Sequence, residues 1–227
     1  MRHCRIYDQI RLLDTYGMEQ VRVNYRNGRA ELVPPDELQN KGHCPYFKKG
    51  IHMARGDVYV SRFDLNVEHK KIEMPPRPTL RLAQPIFGDD GSRHGLLVLN
   101  LNQEQILGLL ANRDRNSELG YWLVNRQGYW LYSDDLTAIW GFQLGHDRTI
   151  KAVEGLEGIL DRPIGGLVET PQGQFAFNRV NLNSHASSPN VISDEMRNIV
   201  SAEPCWICSR SFPATCSIPA PGSGCGS

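Results

Sequence analysis

The sequence predicts a mixed α/β protein made of two small modules, each built on an antiparallel sheet. Short runs of alternating apolar and polar residues, separated by turn residues, recur along the 227-residue chain, as is typical of β-hairpins. The segment "GLLVLNL" at 95–101 is nearly all apolar, which favours a central strand covered on both faces. After a helical segment, the strand–turn–strand pattern restarts at residue 120. Two small modules explain this order better than one large domain.

The first half is predicted to contain a hairpin, short helices and three strands. The hairpin joins strands at 6–13 and 19–25 through the turn "DTYG". Short helices are expected around 37–41 and 46–53. Strands follow at 57–63, 77–87 and 95–101, separated by "EHKK" and by the turn signal "GDDGSRHG".

The second half is predicted to begin with a linking helix at 102–111, in which Ile106, Leu107, Leu109 and Leu110 share a buried side. A strand–turn–strand unit at 120–135 comes next, with Trp122, Trp130 and Trp140 expected in the core. Residues 146–161 are predicted to be helical, because apolar residues recur there at helical spacing: Ile150, Val153, Leu156 and Ile159. A hairpin at 165–182, turning at "PQG", and a strand around Trp206 complete the order.

Composition restricts the class of protein. Lys plus Arg and Asp plus Glu both count 25, and this zero net charge argues against nucleic acid as a partner. No apolar run is long enough to span a bilayer, and the first residues have no apolar core of signal-peptide length. We therefore expect the chain as it stands to carry no membrane segment or signal.

The last 23 residues hold four cysteines, at Cys205, Cys208, Cys216 and Cys225. Four thiolates can bind zinc, but the spacing lacks the second C-x-x-C of common zinc motifs. The Ser, Pro and Gly content favours a low-complexity tail at 211–227, which is disordered or out of frame. No metal or cofactor is predicted.

Motifs of common enzymes are absent from the sequence: there is no G-x-S-x-G, phosphate-binding loop or H-E-x-x-H. His43 and His52 flank a segment that contains Cys44, but the sequence offers no third member of a catalytic group. We predict no catalytic residues and no enzymatic activity.

Several ordered motifs carry a family resemblance over about residues 5 to 180. They are "YDQIRLLD" with "RVNY", "LQNK" with "PYF", "VYVSRFDLNVE", "RPTLRLAQPIF", "GLLVLNL" and "YWLVNRQGYWL". Together they resemble the double Cache (tandem PAS-like, PDC) sensor domains of bacterial histidine kinases and diguanylate cyclases.

This resemblance implies a membrane-distal module at 1–112 and a membrane-proximal module at 113–210. It further implies a membrane-anchored parent receptor with its sensor on the periplasmic side, a helix before the first hairpin, and an output domain after the second module. The chain then represents a fragment truncated at both ends, and a homodimer is one form in which it can act. Without that helix, one side of the first sheet would be exposed, so we expect association and poor solubility.

The resemblance places a small-molecule ligand in the distal module, with contacts from Tyr46, Phe47, Tyr59, Ser61, Asp64 and Arg81. Tyr46 and Phe47 would be walls of the pocket, and Tyr59 and Ser61, two apart on a strand, would share a face. Arg81 could bind the carboxylate of an organic acid, whereas Asp64 could bind an amine. Amino-acid-binding members carry an arginine two residues before the aromatic pair, and Cys44 stands there, which argues against the usual amino-acid geometry.

Other interpretations of the same residues remain open. Tyr46 and Phe47 are of a kind found more often in a core, and Arg62 can form a surface ion pair with Asp64 or Glu68 that contributes little. A soluble intracellular PAS-like module that binds a ligand or dimerises is the alternative function.

Overall fold

The computed structural model describes residues 6–102, 107–108, 110–112, 119–162, 165–180, 199–201 and 205–211. Contacts divide these residues into two compact units, the first ending at 108 and joined by 199–201, the second running from 110 to 180 and joined by 205–211. Each unit has its own sheet, and the mixed α/β structure is dominated by strands with few helices. The predicted modules 1–112 and 113–210, and the tail at 211–227, stay a prediction.

The strands of the first sheet are β1 (Tyr7–Leu13), β2 (Glu19–Arg26), β3 (Arg29–Leu32), β4 (Val58–Val60), β5 (Asp64–Leu65), β8 (Pro78–Phe87), β9 (Arg93–Leu101) and β14 (Ile199–Ser201). Their order in the sheet is β14-β4-β8-β9-β1-β2-β3, with β5 paired to β8. Neighbouring strands are antiparallel, except that β14 runs parallel to β4. A separate small hairpin pairs β6 (Val67–Glu68) with β7 (Lys71–Ile72).

One face of the first sheet is covered by the helix α1 (Pro45–Gly50). Its buried Tyr46 and Phe47 pack in one apolar cluster with Leu13, Leu96 and Val98 of the sheet. The predicted site therefore lies on this covered face.

The opposite face of the sheet is partly exposed. Ile10, Val21 and Leu32 are 40%, 41% and 71% exposed. On β9, Leu96 is buried whereas Leu97 is only half-buried, so the expectation of complete cover on both faces was wrong. The exposed apolar face is of the kind that promotes association.

The strand predicted at 57–63 is interrupted. Val60 pairs with Leu82, and Asp64 pairs with Thr79, so β4 and β5 together carry one residue more than the facing segment of β8. Such an extra residue is a β-bulge, which bends the strand and redirects side chains. The bulge explains why a single continuous strand does not form.

The second unit is built on a sheet of five strands, β10 (Leu119–Val124), β11 (Trp130–Tyr132), β12 (Gly166–Thr170), β13 (Gly173–Val180) and β15 (Cys205–Ser211). Their order in the sheet is β11-β10-β15-β13-β12. Both predicted hairpins and the predicted last strand are present. Trp122, Trp130 and Trp140 are buried, as predicted.

The helix predicted at 146–161 does not form. Two single 3₁₀ turns, Ile150–Ala152 and Ile159–Asp161, occur in its place. Gly155 between them has a φ of +86°, which an α-helix does not accommodate. The four apolar residues are nevertheless in the core, because a spacing of three matches the 3₁₀ period.

The short helices of the first unit also differ from their predictions. The helix predicted at 37–41 is a 3₁₀ turn, Pro35–Glu37, and the one predicted at 46–53 is α1, which ends at Gly50. Half of the helix predicted at 102–111 lies outside the described residues, including Ile106 and Leu109, and the described residues 107, 108, 110 and 111 are helical.

Candidate functional site

The structure brings the six predicted ligand contacts together on the covered face of the first sheet. Tyr46 and Phe47 come from α1, Tyr59 from β4, Ser61 from the bulge, Asp64 from β5 and Arg81 from β8. All but Asp64 are buried, and Asp64 is half-buried.

Arg81 is the centre of this group. Its Nη1 donates to Asp64 Oδ1 at 2.6 Å, and its Nη2 donates to Asn66 Oδ1 at 3.0 Å. The guanidinium carbon lies 5.3 Å from the centre of the Tyr46 ring, within the range of cation–π attraction. A carboxylate and an amide of the chain itself thus occupy the fork that was predicted to hold a ligand.

Ser61 completes the backbone pairing at the bulge. Its N–H donates to the Arg81 carbonyl at 2.9 Å, and its Oγ accepts from the Arg81 N–H at 2.9 Å. The Ser61 hydroxyl in turn donates to the Arg62 carbonyl at 2.7 Å. The hydroxyl therefore satisfies a buried backbone donor that the irregular strand would leave unpaired.

The aromatic residues belong to the apolar core in this structure. Tyr46, Phe47 and Tyr59 are each less than 10% exposed and share one cluster. Burial raises the pKa of Tyr46, and the Tyr46 hydroxyl accepts a hydrogen bond from Arg11 Nη1 at 3.0 Å. Their role as walls of a ligand pocket stays a prediction.

A buried charge cluster of Arg11, Glu19, Arg22, Lys41 and Glu68 lies beside this group, and the sequence did not indicate it. Glu19 pairs with Arg11 Nε at 3.1 Å and with Arg22 Nη1 at 3.0 Å. Glu68 pairs with Lys41 Nζ at 3.0 Å and also contacts Arg11. Three cations face two carboxylates, so the cluster carries one positive charge.

The sequence feature that could have indicated this cluster is the alternation of inward-facing and outward-facing residues along β1. Arg11 lies between Gln9 and Leu13 at spacings of two, so all three share a face, and Leu13 is fully buried. A buried arginine needs partners, but only the fold shows that they come from Glu19 and Glu68.

The cluster shifts the ionisation of its own members. Burial alone would raise the pKa of Glu68, but Arg11, Lys41 and Arg22 outweigh burial and hold that pKa at about 2. Burial, and then the charge of Arg11, lower the pKa of Lys41 despite the opposing effect of Glu68. Glu68 is therefore ionised at neutral pH and balances part of the positive charge of the cluster.

A cleft of about 330 Å³ opens next to the cluster. It lies between the loop 39–43 and the tip of the β6–β7 hairpin, and its lining includes Gln39, Asn40, Lys41, His43, Val67, His69 and Lys70. None of the six predicted contacts is among these lining residues. His43 Nε2 lies 3.7 Å from Sγ of its sequence neighbour Cys44.

No group of three His, Cys, Asp or Glu suited to a metal ion occurs among the described residues. Cys205 and Cys208 lie on β15, and Cys216 and Cys225 lie outside the described residues. None of the helices that the structure describes is both long and apolar enough to cross a membrane.

Comparison with solved structures shows which proteins share this fold. The extracellular domain of vpHK1S-Z8, described as a histidine kinase, is 23% identical with a TM-score of 0.69, covering 90% of this chain and 68% of that chain. A domain of a sensory box/GGDEF family protein from Vibrio parahaemolyticus is 22% identical with a TM-score of 0.72, covering 92% and 74%. The ligand-binding domain of the amino-acid chemoreceptor PctC of Pseudomonas aeruginosa, in complex with GABA, is 12% identical with a TM-score of 0.51, covering 90% and 73%. The fold is thus shared with bacterial sensor domains.

The family itself is shown by the sequence. The family model of the bacterial histidine kinase sensor domain matches residues 1–155, and the chain belongs to this family. It is a family of sensor domains and not of catalytic ones. The search among curated proteins found no match.

Proposed function

We propose that this chain is the extracytoplasmic small-molecule-sensing domain of a membrane-anchored bacterial receptor, with two tandem Cache modules. Two units that each have their own, mainly antiparallel sheet support the tandem arrangement. The receptor would signal through a histidine kinase or diguanylate cyclase output domain, and a homodimer is the form we expect. The ligand would bind the first unit.

The observation that supports a ligand site is that both Nη atoms of the Arg81 guanidinium are bonded to polar side chains of the chain itself, Asp64 and Asn66. Asp64 places a carboxylate on a buried guanidinium under an aromatic ring, which is the environment that a ligand carboxylate requires. We propose that an organic acid replaces Asp64 on Arg81, or that an amine binds Asp64. The proposal is supported by PctC, a chemoreceptor domain of similar fold, which was solved with GABA, a molecule that carries both groups.

Replacement of Asp64 by a ligand carboxylate would also change the conformation of the first unit. Asp64 lies directly after the bulge, and Ser61 ties the bulge to the backbone of Arg81. Release of Asp64 would free β5 to move relative to β8. A ligand can shift this equilibrium only by its difference in affinity for the two arrangements.

A thermal-shift screen of organic acids and amines tests this proposal, followed by calorimetric titration of the compounds that raise the Tm. Arg81→Ala should abolish binding, and Tyr59→Ala should do the same if Tyr59 lines the pocket. Arg62→Ala is the matched control, because Arg62 pairs with the other oxygen of Asp64 at 3.3 Å and its side chain is half exposed. Far-UV circular dichroism establishes that each variant is folded. Affinity that survives in folded Arg81→Ala would show that the site is misplaced.

A further inference from the structure

The cleft between the loop 39–43 and the β6–β7 hairpin has a consistent charge. The ionisable residues among its described lining are Lys41, His43, His69 and Lys70, and all four are basic. Its volume of about 330 Å³ is at the lower end of the range for small-molecule sites. Size and charge together suit a small anionic molecule.

The tip of the hairpin adopts a conformation that its residues do not favour. Glu68 pairs with Lys71, so the turn contains only His69 and Lys70, with φ values of +50° and +62°. A two-residue turn with both residues at positive φ is the type that Asn-Gly fits best. Strain of this kind in a folded protein is found at ligand-binding positions, and here it presents two basic side chains to the cleft.

The walls of the cleft are held in place by Gln39. Its Oε1 accepts from the His69 N–H at 3.0 Å and from Lys41 Nζ at 3.0 Å, and its Nε2 donates to Glu68 at 3.0 Å. These bonds join the loop to the hairpin before any ligand is present. A cleft organised in advance loses less conformational entropy on binding.

The buried charge cluster strengthens the attraction for an anion. Lys41 is a member of both, and its ammonium is already bound to Glu68. The cluster still has one more cation than carboxylates, and this positive charge lies in a region of low dielectric constant, where screening is weak. The exposed Lys70, together with the His43 and His69 rings, supplies donors to the ligand itself.

We propose that this cleft binds a small organic polyanion, a di- or tricarboxylate or a phosphate ester, through Lys70, His69 and His43. Lysine and imidazole act as point donors and do not impose the planar fork of arginine, so carboxylate and phosphate are both accommodated. The site is separate from the Arg81 group and does not depend on the sensory role of that group.

Isothermal titration of the whole chain at low salt, with citrate and with inorganic phosphate as probes and glycerol as the neutral comparison, tests the proposal. Lys70→Asn removes the charge and inserts a residue suited to positive φ, so the Tm should be kept or raised. Its affinity for the anion should fall about tenfold or more, the scale of one charge-assisted hydrogen bond. Lys71→Gln changes the neighbouring exposed lysine outside the cleft and should leave the affinity unchanged.

The histidines provide a second matched pair of variants. His43→Gln, in the cleft, should weaken binding of the anion, whereas His52→Gln, at an exposed position outside the cleft, should leave it unchanged. The cleft is supported by saturable binding of either probe that weakens with added NaCl, falls about tenfold or more in affinity in Lys70→Asn and is kept in Lys71→Gln. Equal loss in Lys70→Asn and Lys71→Gln, or no saturable binding of either probe, overturns it. Loss of anion binding in folded Arg81→Ala also overturns it, since the anion would then occupy the Arg81 group.

Discussion

Neutralising Glu68 should destabilise the first unit and remove most of its sensitivity to acid. Glu68 has its pKa lowered from 4.5 to about 2 in the folded chain, which corresponds to about 3 kcal/mol of stability. Because the folded pKa is the lower one, this stability is fully present above pH 4.5 and is lost as the pH falls toward 2. We expect Glu68→Gln to cost about 3–5 kcal/mol at pH 7, the range measured for breaking buried ion pairs.

The choice of assay follows from where the tryptophans lie. All four tryptophans, Trp122, Trp130, Trp140 and Trp206, are in the sequence of the second unit, so their fluorescence reports on that unit directly, whereas Glu68 is in the first. Far-UV circular dichroism monitors both sheets, and urea unfolding at pH 7, 4.5, 3 and 2 gives the free energy at each pH. If the units unfold separately, as tandem modules should, acid shifts the transition seen by dichroism more than that seen by fluorescence.

Two controls make the result specific. Glu31→Gln removes an exposed carboxylate on β3 and should change stability by less than about 0.5 kcal/mol. The double variant Lys41→Met with Glu68→Gln should cost less than the separate changes together, because removing Lys41 leaves less unbalanced charge.

The wild type and Glu68→Gln should converge in stability near pH 2, where Glu68 becomes protonated. Equal stability of the two at pH 7, with parallel loss on acidification, would refute the cluster as described. If Glu68→Gln does not fold, the pH dependence of the wild type alone still tests the reasoning, since a wild type equally stable at pH 4.5 and pH 2 contradicts it.

The remaining predictions concern the first sheet. A methyl group on Gly95 would lie 2.1 Å from the Leu13 carbonyl oxygen. Gly95→Ala should therefore separate β1 from β9 and lower the free energy of unfolding by about 2 kcal/mol or more. A variant as stable as the wild type in urea would exclude this close approach. Val21→Lys and Leu32→Lys should reduce self-association measured by sedimentation velocity, because both residues are exposed on the apolar outer face. A wild type that is monodisperse at high concentration would remove the reason for those changes and contradict the expected poor solubility.

Much of the succession of strands along the chain could be predicted, because the alternation of apolar and polar residues and the turn residues are local signals. The hairpins at Tyr7–Arg26 and Gly166–Val180 and the strands β8 and β9 follow from such patterns. Glycine-containing turns set their ends, for example at Gly17, whose φ is +85°. These features depend on neighbours in sequence, which is the information that a single sequence contains.

Two predictions failed because more than one structure satisfies the same pattern. A spacing of three between Ile150 and Val153 fits an amphipathic α-helix and also fits 3₁₀ turns, and Gly155 decides between them. The strand at 57–63 had a plausible alternation, but the facing strand β8 has one residue fewer between the pairs of Val60 and Asp64. Register against a partner strand is a tertiary property that the segment alone does not reveal.

For the candidate site, the sequence indicated which residues lie near one another but not how they bond to each other, and their role in ligand binding stays a prediction. Tyr46, Ser61 and Arg81 do come together, as the resemblance implied, yet their polar atoms are bound to other residues of the chain. Sequence patterns mark which residues share a face, whereas partners such as Asp64 depend on the bulge. The charge cluster was missed for a related reason, because Glu68 reaches Arg11 only through folding of the β6–β7 hairpin.

The departures from ordinary folding rules concentrate in one segment, residues 61–70. It contains the bulge at Ser61, the partner of Arg81 at Asp64, the half-buried carboxylate of Glu68 and the strained turn at His69 and Lys70. Sequences optimised for stability alone avoid such features, and proteins retain them where function requires them. Because this one segment supplies residues both to the Arg81 group and to the basic cleft, a ligand at either place would act on the same stretch of backbone. That shared segment is the physical reason to examine both sites before assigning a ligand to the domain.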